Sequence, residues 1–151
     1  MKRASEVMDR EVLTFSPDTA VRELASRLIA GGGDGACVVE PGSERLIGVV
    51  TAMDLIFQEQ PVHLPSFFVF FDAVIPLERP AHVQHELDKL MGAQVKDIMS
   101  TDLIVVSPSA PLEEVAATMV RKHTGYVPVV DAGKVLGVVT KRAVLKAAFG
   151  L

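Results

Sequence analysis

Cys37 is the only cysteine in this chain of 151 residues. An intrachain disulfide is therefore excluded, and because the residue falls in an apolar strand pattern it reads as a buried, inert thiol rather than a nucleophile. A reduced, cytoplasmic setting fits that content. Positive charge is also short: 15 Lys and Arg stand against 19 Asp and Glu, a net charge of -4. No general attraction to nucleic acid follows, and a polyanion would need a local patch such as Arg121, Lys122 and His123 with Lys141, Arg142 and Lys146. The most apolar run, Leu64 to Leu77, carries Asp72 and falls short of the roughly 20 residues that cross a bilayer. The start, Met1 to Glu6, continues into Asp9 and Arg10 without an apolar core, which is not the pattern of a signal peptide. Catalytic signatures are missing too. There is no Walker-type glycine loop and no Ser, His and acid arrangement, and Glu113-Glu114 suits a helix dipole better than paired acid-base work, so an enzyme is not expected.

What is present is ample apolar content and a duplication. At 49% hydrophobic and 23% charged, the chain can bury a core of ordinary size. Residues 7 to 40 match residues 98 to 131 at an offset of 91: Met8 falls on Met99, Ser16-Pro17 on Ser107-Pro108, Glu23 on Glu114, and Val38-Val39 on Val129-Val130. After a turn the match resumes at an offset of 89, with Gly48 on Gly137 and Thr51 on Thr140. An internal repeat of this kind sets the architecture before any single element is assigned.

Each copy reads in the same order. A short extended stretch, Val12 to Phe15 or Leu103 to Val106, leads to an amphipathic helix. Val21, Leu24, Ala25, Leu28 and Ile29 form its apolar stripe in the first copy, and Leu112, Val115, Ala116, Met119 and Val120 repeat it. Pro111 suits the first helical position, Gly31-Gly32-Gly33 ends the first helix, and Gly125 lies just beyond the second. Two strands follow in each copy, Ala36 to Glu40 with Leu46 to Thr51 and Tyr126 to Asp131 with Val135 to Thr140, joined by turns short enough for antiparallel hairpins. The fold class is α+β, two β-α-β-β-α units. Neither hides its apolar faces alone, and stacking the two sheet to sheet supplies the core.

The strand-to-helix corner Gly48-Val49-Val50-Thr51-Ala52-Met53-Asp54 admits two readings. A helix start offers N–H groups and a positive dipole end to a phosphate, and Asp54 one turn in can accept hydrogen bonds from vicinal hydroxyls. The same Thr-x-x-Asp spacing resembles a capping box, in which both side chains serve only their own backbone.

Taken together, the duplicated order, the Val127-Pro128-Val129-Val130-Asp131 strand and the Gly48 to Asp54 corner resemble a tandem pair of CBS domains, a Bateman module with pseudo-twofold symmetry. The resemblance divides the chain into residues 4 to 57, an insert at 58 to 94, and 95 to 151. It implies a regulatory module that binds an adenosine nucleotide (AMP, ADP, ATP or S-adenosylmethionine) between the repeats, with a homodimer and a regulated protein as partners and no catalytic cofactor. It implies further that Asp54 holds the ribose hydroxyls, that Thr51 contacts ribose or the first phosphate, that Val49 packs on the base, and that Met53 belongs to the ligand-binding set. The other repeat would complete this site through Thr101, Asp102 and Ile104, with Thr124, Gly125 and Tyr126, where backbone groups would read the adenine edge, and with Pro128. At the second site Ala143 replaces the acid, a loss of about 1.5 to 3 kcal/mol in a charged hydrogen bond, so one good site per chain is expected. There Thr140, Lys141 and Arg142 could face polyphosphate or be solvated charges, and Thr14, Gly35, Ala36 and Cys37 form a small-residue patch. The alternative function is a ligand-free scaffold for protein or self association.

The insert holds Phe67-Phe68-Val69-Phe70-Phe71, read as packing on its own module or else as a dimer contact or lid. A helix is expected from His82 to Leu90. His82, His85 and Glu86 lack the supporting ligands of a metal site, so none is expected.

Overall fold

The computed structural model describes residues 2–56 and 93–151, and the expectations for the Phe-rich run and the His82 helix lie outside them. The architecture is α+β. In repeat 1, α1 (Ala4–Val7), β1 (Thr14–Phe15), α2 (Val21–Gly31), β2 (Gly35–Val39), β3 (Leu46–Thr51) and α3 (Ala52–Ile56) follow one another. In repeat 2 the order is α4 (Val95–Ile98), α5 (Leu112–Lys122), β4 (Tyr126–Asp131), β5 (Lys134–Thr140) and α6 (Lys141–Phe149). The strands pair as β1-β2-β3 and β4-β5, with β1 parallel to β2 and both hairpins antiparallel.

The first extended stretches are shorter than expected. Only Thr14 and Phe15 pair in repeat 1, and the Leu103 to Val106 stretch contributes a single parallel bridge, Val106 to Val129. Of the two helical stripes, Ile29 and Val120 come out 67% and 76% exposed instead of buried. At 3.6 residues per turn an i+8 position lies about 80° round from the first, off the face that Leu24 and Val115 centre. Pro111 is the N-cap of α5, one place earlier than expected, and the residue ending that helix in left-handed backbone is His123 where α2 ends on Gly32.

Alternation along the strands sorts side chains to two faces. Ala36 and Val38 pack with Leu24 and Leu28 under their own helices, whereas Cys37 between them faces the other repeat. Val127 and Val129 do the same with Val115 and Met119, and Tyr126 faces away from them. Both hairpins carry a register shift, at Val38/Val39 opposite Ile47 and at Val129/Val130 opposite Leu136. The extra residue of a bulge changes parity, so Leu46 and Val49, three apart, share the seam, as do Val135 and Val138. The seam is thus built from sheet faces of both copies.

Each repeat's first short helix is exchanged. Ala4 N–H donates to the Ala110 carbonyl (2.8 Å) and Ser5 N–H to that of Pro108 (3.0 Å), and Ala4 belongs to the core of repeat 2. Val95 N–H donates to the Thr19 carbonyl (2.8 Å), and Val95 is fully buried in the core of repeat 1.

Candidate functional site

The exchange draws the chain after each short helix across the sister sheet. Val49 and Ser100 exchange both backbone hydrogen bonds, at 3.0 and 2.9 Å, and Asp9 and Val138 do so at 2.8 and 2.9 Å. Each crossing lies beside a Thr corner and shapes a cleft between the repeats.

The first cleft, about 230 Å³, is lined from repeat 1 by Val49, Thr51, Met53 and Asp54, and from repeat 2 by Ser100, Asp102, Ile104, His123, Thr124 and Tyr126. Eight of these were expected from the sequence. Three expected residues lie elsewhere. Thr101 follows the paired Ser100, which takes its place on the wall. Gly125 turns its Cα toward the Lys141 stem, and Pro128 is a fully buried core residue of β4. Ser100 and His123 were missed. The signal for Ser100 was its offset of 91 from Asp9, since both positions face a Gly-h-h-Thr strand, but nothing in the sequence marked the exposed His123 as a wall residue.

At the corner itself the capping box is present. Thr51 N–H donates to Asp54 Oδ2 at 2.8 Å, and Asp54 N–H donates to Thr51 Oγ1 at 3.3 Å. Asp54 nevertheless lines the cleft, and a carboxylate accepts up to about four hydrogen bonds, so capping and holding a diol are compatible. The helix start is less open than its sequence implied, because the first donor, Ala52 N–H, is bonded to the Asp34 carbonyl at 2.9 Å.

The second cleft, about 340 Å³, is related by the repeat. Val138 and Thr140 stand for Val49 and Thr51, and Asp9, Glu11 and Leu13 stand for Ser100, Asp102 and Ile104. Gly35 lines it as expected. Thr14, Ala36 and Cys37 do not, since Thr14 points outward from β1 and the other two are buried in cores on opposite faces of β2. Lys141 and Arg142 are also not on its wall; both are exposed, and the Lys141 stem covers Gly125. In their stead Asp9, Glu11 and Asp34 bring three carboxylates, a poor environment for polyphosphate. Thr140 keeps its capping role, accepting from Ala143 N–H at 3.2 Å.

Tyr126 lines both clefts. Its ring lies where Gly35 has no side chain: a Cβ there would come within 3.1 Å of the ring and 2.9 Å of the Val50 carbonyl oxygen. Its hydroxyl meets Cys37 Sγ at 3.9 Å. Among the described residues no group of three or more His, Cys, Asp and Glu is placed to hold a metal, and no helix is long and apolar enough to cross a membrane.

The chain is 30% identical over 145 residues to an inosine-5'-monophosphate dehydrogenase of Korarchaeum cryptofilum, covering 95% of this chain and 24% of that one. To the uncharacterized protein MJ1225 of Methanocaldococcus jannaschii it is 25% identical, over 93% of this chain and 41% of that one. It therefore spans less than half the length of these relatives. Among solved structures, CBSX2 in complex with AMP superposes with a TM-score of 0.71 at 25% identity, covering 99% of this chain and 98% of that one. The CBS domain pair of protein MJ0100, solved with 5'-methylthioadenosine and S-adenosyl-L-methionine, gives 0.72 at 18% identity over 99% and 98%, a likeness of fold alone. The CBS domain family matches at residues 4–59 and again at 95–150. With both copies matched and stacked seam to seam around paired clefts, the chain belongs to the CBS-domain family as a tandem pair.

Proposed function

We propose that this chain is a regulatory module whose first cleft binds an adenosine nucleotide, without catalytic chemistry of its own. The observation that carries the reading is the convergence, from two repeats far apart in sequence, of the Thr51 to Asp54 corner on Asp102, Ile104, Thr124 and Tyr126. Asp54 accepts from the ribose hydroxyls while keeping its cap, and Val49, Ile104 and Tyr126 give apolar surface to a base. Support also comes from the AMP complex of CBSX2, a chain of matching length at 25% identity. Because the ligand touches both repeats, it favours whichever packing of the two brings its contacts closest. Regulation then follows from that difference in affinity, transmitted to a partner or a second copy.

Calorimetric titration of AMP, ADP, ATP and S-adenosylmethionine tests this. The wild type is expected to bind at least one of them, at one per chain, because the second cleft lacks the acid on its helix and is lined by three other carboxylates. Asp54→Asn keeps an oxygen for the Thr51 N–H but gives up the charge, and should weaken binding at least about tenfold. Unchanged affinity in Asp54→Asn would refute its role. The second reading, a ligand-free scaffold, draws on the exposed Ile29 and Val120, which occupy the same position in the two copies; it predicts no heat with any of the four ligands.

A further inference from the structure

Pro128 has no N–H, and a carbonyl of the first cleft is left without a donor in consequence. In repeat 1 the stretch ahead of β1 is fastened to β2 by Cys37 N–H, which donates to the Leu13 carbonyl at 2.9 Å. The positions 91 residues later are Pro128 and Ile104. The next rung is kept, with Val106 N–H donating to the Pro128 carbonyl at 3.1 Å and Val130 N–H to that of Val106 at 3.0 Å. The rung at Ile104 cannot form, because proline lacks the donor. Among the described residues no hydrogen bond reaches the Ile104 carbonyl.

Tyr126 does not close the gap from its side. It pairs with Thr140 where Lys141 N–H bonds the Gly125 carbonyl at 2.9 Å, so its own N–H and carbonyl point away from β5, toward the edge that Val106 occupies. One hydroxyl takes both: the Tyr126 N–H donates to Thr124 Oγ1, and Thr124 Oγ1 donates to the Tyr126 carbonyl, at 3.3 Å each. The ladder thus opens before Val106, and Ile104, Thr124 and Tyr126 at the opening all line the first cleft. In the second cleft Leu13 and Gly35 hold the matching places, and the Leu13 carbonyl is already bonded.

An unpaired carbonyl calls for a donor, and purines differ in what they offer at position 6. The amino group of adenine gives an N–H, whereas the oxo group of hypoxanthine or guanine would set oxygen against oxygen. We propose that Pro128 is a positioning residue for base selection: by withholding an N–H it keeps the Ile104 carbonyl open to the 6-amino group of the ligand, in the first cleft and not in the second. The inference rests on the nucleotide reading above and sets the base where β4 begins, with the ribose at Asp54.

Titration of AMP and of IMP, which carries a 6-oxo group instead, into the wild type, Pro128→Val and Pro128→Ala tests it. Both replacements bring back an amide, and valine does so at nearly the same volume in a strand that suits it. The wild type should prefer AMP about tenfold or more. In each variant the amide takes the Ile104 carbonyl as Cys37 takes that of Leu13, so AMP should lose about tenfold while IMP changes little. An unchanged ratio of AMP to IMP affinity in both variants, or a wild type that binds both alike, would overturn the role of Pro128 and leave the nucleotide reading standing. So would an equal loss of both ligands, which is what packing alone would give. A wild type that binds neither AMP nor IMP would overturn the proposal, and one that also binds neither ADP, ATP nor S-adenosylmethionine would overturn the nucleotide reading with it.

Discussion

Cys37 and Tyr126 face each other across the seam, and burial governs both. The thiol is pushed up from its ordinary 9.0 to about 11, burial raising it and the Tyr126 hydrogen bond offsetting part of the rise. Tyr126 is raised as well, by burial first and then by its neighbour Cys37. A thiol whose folded pKa exceeds its unfolded one keeps its proton better when folded, so its contribution is fully present below about pH 9 and is lost as pH climbs through 11. Urea unfolding at pH 8 and 10.5 should show the wild type losing roughly 2 kcal/mol more than Cys37→Ala does over the same interval. Equal losses would mean that the thiol is not held in its protonated form by the fold. An inert buried thiol is what the apolar strand pattern implied; that its partner would be a tyrosine 89 residues away, shared by two clefts, was not written in either local pattern.

At the scale of elements, the two bulged hairpins depend on their glycines in different degrees. A Cβ on Gly48 would meet Met99 alone, with Sδ at 2.5 Å, Cγ at 2.9 Å and Cβ at 3.1 Å, a side chain that can rotate away in part. One on Gly137 would meet Met8 Sδ at 2.7 Å and the Asp9 carbonyl oxygen at 2.8 Å, and that oxygen accepts from Val138 N–H as part of the crossing. Backbone cannot step aside as a thioether can. Gly137→Ala is therefore expected to cost about 1–3 kcal/mol and Gly48→Ala distinctly less, measured by chemical denaturation; the reverse order would contradict the exchange geometry. Met8 and Met99 were visible as matched positions in the repeat, and so were Gly48 and Gly137. Their contact was not, because periodicity reports which face a residue takes and not which element crosses above it.

Across the whole molecule the repeats are joined by exchange as well as by stacking. The core around Leu24 and Val38 takes Val95 from a segment beyond the insert, and the core around Val115 and Val129 takes Ala4 from the start of the other copy. A protein made of residues 2–56 alone should therefore show no cooperative thermal transition, while the full chain melts in one step by circular dichroism. A sharp transition from the isolated half would show that the exchanged helix is dispensable. The same exchange places Asp9 and Ser100 on the clefts, so folding and site assembly are one event.

By itself the sequence determined the duplication, the order of elements, the antiparallel hairpins and the stacking of one copy's sheet on the other's, because these follow from the repeat, hydrophobic period and turn chemistry. It also marked the Thr51 to Asp54 corner and the missing acid at Ala143. Only the tertiary structure decided that the short helices trade places, that bulges bring Leu46 and Val49 to one face, that Ser100 and His123 line the first cleft, and that Asp9, Glu11 and Asp34 turn the second acidic. Those outcomes depend on segments roughly 90 residues apart meeting at a particular register, and local spacing carries no information about register between copies.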